Sequence, residues 1–168
     1  MVPAARPSRA RTGRRLLRAV AGLTAVGGFA ADWNRTHLFN PAWPPHARFH
    51  DAFTISLGTM LGGAGLWSLR SRDDGAVPRS DLVLGAVLPA MFWAAQGTAF
   101  LYPGAEGLEA EQPQLVPRVR GVWVNERFAS AAMLLLGLVG YLLARRGDGE
   151  RDGAPSAPVT RARARTTA

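Results

Sequence analysis

Apolar and polar residues fall in blocks along this chain. Four apolar runs, at residues 16–31, 52–69, 82–101 and 128–144, stand nearly free of charge between charged stretches. A soluble amphipathic helix instead places its polar residues on one face, recurring every third or fourth position. Blocks of this length suit lipid, where a helical span takes about 20 apolar residues. The pattern therefore predicts an all-α fold, an integral membrane four-helix bundle with both termini on the same side.

The runs differ in quality. Residues 16–31 are short for a span, and Arg18 near their start is expected to lay its aliphatic stem along the helix and place its guanidinium among headgroups. The same run also fits a signal peptide with small residues Gly28 and Ala30 before Asp32; cleavage after Ala30 would leave three spans. Retention is preferred, because the later segments are patterned to pack with a fourth helix. Residues 52–69 hold Gly58, Gly62, Gly63 and Gly65, and the Gly58/Gly62 spacing favours close approach of two helix backbones. Residues 82–101 contain Pro89, expected to kink the helix, and Gln96 in the half farther from the termini. Gly137 and Gly140 offer the fourth run a close-packing face. Residues 1–15 and 147–168, rich in Arg with Pro, Ser and Gly, read as a disordered arm and a disordered tail around a transmembrane domain at 16–146.

Charge sets the orientation. All 20 basic residues are Arg; we read this as the codon bias of a G+C-rich genome. Fifteen lie in the two ends and in residues 70–81, against five in the other two loops. Positive residues stay cytoplasmic, so both termini are expected inside a multi-pass protein of the cell membrane. The net charge of +8 does not point to nucleic acid, because the Arg residues flank apolar runs and form no separate basic face. The expected partners are the lipid bilayer and a second copy or another membrane protein. Trp33, Trp43, Trp67 and Trp123 sit beside span ends, as interfacial rings do; Trp93, at mid-span, is the exception. With no cysteine, disulfide and thiolate chemistry are excluded.

The chemistry is concentrated in residues 32–51, DWNRTHLFNPAWPPHARFHD, which hold all three histidines. Pro44 and Pro45 suit a helix start, placing His46 and His50 one turn apart on one face. His37, His46, His50 and Asp51 are candidate metal ligands, for zinc or another divalent ion, with Asp32 or Glu126 completing the set. The structural alternative is a polar aromatic cap whose imidazoles bond backbone carbonyls. The wider candidate ligand site comprises Asp32, Asn34, His37, His46, His50, Gln96 and Glu126, all brought to one depth by an antiparallel bundle. For Gln96, an interhelical hydrogen bond is the plainer reading. Phosphate loops, nucleophile elbows and dinucleotide fingerprints do not occur, which argues against a nucleotide-using enzyme.

Residues 32–58, DWNRTHLFNPAWPPHARFHDAFTISLG, and 92–104, FWAAQGTAFLYPG, resemble an uncharacterised family of small integral membrane proteins, a domain of unknown function. The resemblance implies a shared membrane fold across the four runs and carries no catalytic role. Three functions stay open: a membrane protein binding a small apolar ligand between its helices under the His-rich loop, a non-enzymatic subunit of a membrane complex, and a metal-binding membrane protein.

Overall fold

The computed structural model describes residues 9–70 and 77–152, with the side chains of 147–152 excepted. Four helices dominate: α1 (Arg9–Asp32), α2 (Pro45–Ser68), α3 (Arg79–Ala99) and α4 (Glu126–Asp152). The loop before α4 adds a single 3-10 turn, Leu108–Ala110, and a two-stranded ribbon of β1 (Arg118–Val119) and β2 (Val122–Trp123).

Each apolar run lies largely within one helix, but the helices reach further. α1 begins at Arg9, seven residues before the expected span, and takes in part of the expected disordered arm; α4 continues to Asp152, into the expected tail. Ala, Leu and Arg are strong helix formers, so the basic segment before Leu16 extends the helix instead of leaving it. Residues 1–8, 71–76 and 153–168 lie outside the described residues, and with them half of the 70–81 loop. Pro45 is the first residue of α2, where its missing N–H is harmless. Pro89 stands inside α3 without ending it.

Contacts along the helices show their directions. Gly13 of α1 packs on Gly140 and Ala144 of α4, Gly62 of α2 on Ala21 and Ala25 of α1, and Gly65 of α2 on Pro89 of α3. Ser130 near the start of α4 meets Gln96 near the end of α3. Successive helices therefore run antiparallel, with α1 and α3 each lying between α2 and α4. A Cβ on Gly62 would collide with the backbone of α1, so the GxxxG step of α2 is used for the close approach it predicted. Gly140 packs likewise against α1, whereas a Cβ on Gly137 would meet nothing within 4 Å.

The interior changes along the bundle axis. Near the termini, Leu17, Leu69, Val77, Leu82 and Ala144 form an apolar cluster. Farther along, the buried positions are mostly small or hydroxylated, with Ile55 an exception. In α2 they are Ile55, Gly58, Gly62 and Gly65, a stripe at alternating spacings of three and four. Thr24 and Ser130 are buried polar residues. Trp93 donates from its indole nitrogen to Thr24 Oγ1 at 2.7 Å, which explains its mid-helix position. The Arg18 guanidinium donates to the Leu69 carbonyl at the end of α2, at 2.6 and 3.1 Å. It satisfies a terminal carbonyl that the helix itself cannot pair.

Large apolar side chains point outward. Met60, Met91 and Leu135 are 71%, 54% and 60% exposed, and Leu84, Val87, Leu138 and Val139 share that outer surface. Among the described residues two helices, Arg79–Ala99 and Glu126–Arg146, are long and apolar enough to cross a membrane. α1 and α2 fall short of the four expected spans, because arginines fill the first half of α1 and glycines dilute α2.

Candidate functional site

Two loops meet at the end of the bundle remote from the termini. The first, between α1 and α2, is built by its own asparagines. Asn34 Oδ1 accepts from the Thr36 backbone N–H at 2.8 Å and from the Thr36 hydroxyl at 2.6 Å. Asn40 Oδ1 accepts from the Ala42 N–H, and Arg48 donates to the Asn40 carbonyl. The Asn34 and Asn40 side-chain oxygens close Asx turns that shape the loop. Phe29 and Trp33 pack tilted at 44°, and Trp33 meets Phe39 edge to face.

This loop aims His37 inward. The single hydroxyl proton of Thr36 goes to Asn34, an obligate acceptor at its side-chain oxygen, so Thr36 accepts from His37 Nδ1–H at 2.9 Å. His37 Nε2 then faces Asp32 Oδ1 at 3.8 Å. Asp32 lies just past the first apolar run and Asp51 just before the second. Burial pushes the Asp32 carboxyl above the usual carboxylate range; His37 draws it back, and the charges of Asp51 and Glu126 raise it further. Burial raises Asp51 too, against the pull of His37. Asp51 Oδ2 is buried without a hydrogen-bond partner.

The second loop brings carboxylates from the other side. Asn125 caps α4, its Oδ1 accepting from Arg127 N–H at 3.1 Å, and its amide donates to Glu109. Glu126, in the favourable first turn of α4, accepts from Leu108 N–H at 3.2 Å. The remaining oxygens of Glu109 and Glu126, both buried and unpartnered, converge on Gly107, where a Cβ would collide with each.

Between the two loops lies an open cleft of about 580 Å³, lined by His37, Trp43, Gln96, Phe100, Glu126 and residues 104–108, among others. His37, Gln96 and Glu126, expected as site residues, are thus brought together. Gln96 also accepts from Ser130 at 3.4 Å, joining α3 to α4. His46 and His50 do not join them. They stand exposed on α2 with their Nε2 atoms 3.1 Å apart. Among the described residues no three His, Asp or Glu side chains are arranged to hold one metal ion, so the expected convergence of three histidines with a carboxylate is not formed. The helical spacing pairs His46 with His50, while the Asx turn directs His37 to the cleft.

Sequence reasoning missed Glu109 as a member of this region, and took Trp43 only as an interfacial ring. Glu109 lies sixteen positions before the Asn125 amide that it bonds, a separation with no periodic signal.

A family of unknown function, DUF6640, matches residues 16–153. The chain belongs to this family. Within the matched segment lie all four helices, apart from the first turns of α1, and every residue of the cleft. No curated protein and no solved structure matches the chain, so the reading of this family member rests on its own geometry.

Proposed function

We propose that this DUF6640 member is a multi-pass membrane protein that binds a small amphipathic molecule with a cationic head at the loop end of its bundle. The observation that carries this reading is the cleft itself. Its volume lies in the range of small-molecule sites, and it combines apolar walls with a few convergent polar groups. Glu106, Glu111 and Glu126 line it, with His37 its one ionisable nitrogen. A positive head is favoured there by the carboxylates and by the Trp43 ring. Gln96, fixed by Ser130, would orient it by hydrogen bonding.

The outward Met, Leu and Val side chains of α2, α3 and α4 support a lipid setting, since a soluble monomer rarely exposes so large an apolar surface. A tail leaving the cleft between helices would enter the same hydrocarbon.

Oleylamine and oleate have matched tails and opposite heads. Added to the detergent-solubilised protein, oleylamine should raise the midpoint of thermal unfolding and oleate should not. Glu126→Gln keeps the bond from Leu108 and removes the charge, and should abolish the difference. Equal shifts from both amphiphiles, or an unchanged difference in Glu126→Gln, would refute the cationic-head reading.

A further inference from the structure

Two imidazoles stand apart from the cleft. His46 and His50 occupy the first turns of α2, both exposed, with Nε2 atoms 3.1 Å apart and rings inclined at 81°. Phe49 braces the pair: its ring is stacked on His46 at 6.1 Å and set edge-on to His50 at 5.6 Å. In this arrangement one Nε2–H donates to the other Nε2.

A metal ion can take the place of that proton once both rings carry hydrogen on Nδ1. With metal–nitrogen bonds of about 2.0–2.1 Å, nitrogens 3.1 Å apart subtend about 95–102° at the ion. That angle lies between the square and tetrahedral values, and each ring would turn its Nε2 lone pair by about 40° from the N–N line to reach the ion. Two neutral imidazoles suit copper(II), nickel(II) and zinc(II), and do not suit magnesium or calcium, which take oxygen ligands. Water would fill the remaining positions of an exposed site.

The position gives such an ion a structural task. The N-cap of α2 is Pro44, which makes no side-chain cap hydrogen bond. A bridge from residue 46 to residue 50 would hold the first turn of a helix that lacks this cap. We propose that His46 and His50 form a surface site for one divalent transition-metal ion, copper(II) by preference, that clips the start of α2.

The test uses the full chain in detergent, carrying a purification tag free of histidine. Copper(II) titration by calorimetry should give one ion per chain, and electron paramagnetic resonance should show coupling to two imidazole nitrogens. The second ligand acts intramolecularly, so His46→Ala and His50→Ala should each weaken binding by about 100-fold. His37→Ala, the remaining histidine, should leave it unchanged. Because both positions are exposed, the metal-free variants should unfold at the parent's temperature, and copper should raise that temperature in the parent alone. Stoichiometric binding retained in both variants, binding lost in His37→Ala, or one ion per two chains with four coupled nitrogens would each overturn the proposal.

Discussion

At the scale of single residues, neighbours in sequence have opposite tasks. Gly62 and Gly63 are adjacent in α2, yet a Cβ on Gly62 would meet Ala25 N and Ala21 O, while one on Gly63 would meet nothing within 4 Å. Gly62→Ala should therefore cost about 3 kcal/mol by forcing two backbones apart. Gly63→Ala should stabilise by up to about 1 kcal/mol through helix propensity. Denaturation in mixed micelles measures both, and equal effects would show that α1 and α2 do not approach as described. Asp51 gives a pH-dependent counterpart. Burial raises its carboxyl, so the folded state binds the proton more tightly than the unfolded chain. Its contribution to stability is full below the ordinary carboxylate range and is lost as pH rises through the elevated native value. Asp51→Asn should thus be more stable than the parent near pH 7, and the gap should close on acidification toward pH 4. A gap that widens on acidification would show that Asp51 is held as a favourable carboxylate.

At the scale of elements, the sequence reveals helices better than their ends. Long charge-poor runs located all four helices, because lipid-compatible blocks and helix-forming residues coincide in them. The ends moved because helix formation does not stop where charge begins: Arg9 to Arg15 continue α1 in the absence of a breaker other than Gly13, which packs on α4. The ribbon at Arg118–Val119 and Val122–Trp123 gave no periodic signal, being two residues on each side of a turn with Arg120 and Gly121 at positive φ. At the site, HxxxH spacing was legible as a helical pair, whereas the Glu109–Asn125 contact depends on how a long loop folds back. Arg18 shows why an isolated charge in an apolar run needs the neighbouring element to be understood. Its bond to the Leu69 carbonyl ties α1 to the end of α2. Arg18→Ala should cost about 1.5–3 kcal/mol, the range for a hydrogen bond to a charged group, with partial recovery in Arg18→Lys. Full stability in the alanine variant would mean that the guanidinium serves only the membrane surface.

At the scale of the molecule, the arrangement is polarised along the bundle axis. An apolar cluster of Leu17, Leu69, Val77, Leu82 and Ala144 closes the end near the termini. Glycine and hydroxyl contacts hold the middle, and Asp32, His37, Glu109 and Glu126 occupy the loop end. This order has consequences for insertion, because fifteen of the 20 arginines belong to the apolar-cluster end and its flanking segments. Positive residues resist translocation, and acidic residues contribute little to orientation. The Glu-rich loop before α4 is therefore expected on the outside, together with the cleft, which would receive its ligand from the outer leaflet or the exterior. C-terminal reporter fusions ending at Gly75 and Gly107 distinguish the alternatives, since α3 lies between the two positions. A phosphatase that is active only when exported should be active at Gly107 and silent at Gly75, and a cytoplasmic fluorescent reporter should give the reverse. Removing residues 1–31 should leave α2 and α4 without the helix on which Gly62 and Gly140 pack, and the protein should be lost from membranes. A stable product of normal abundance lacking that segment would show that the remaining three helices fold without α1.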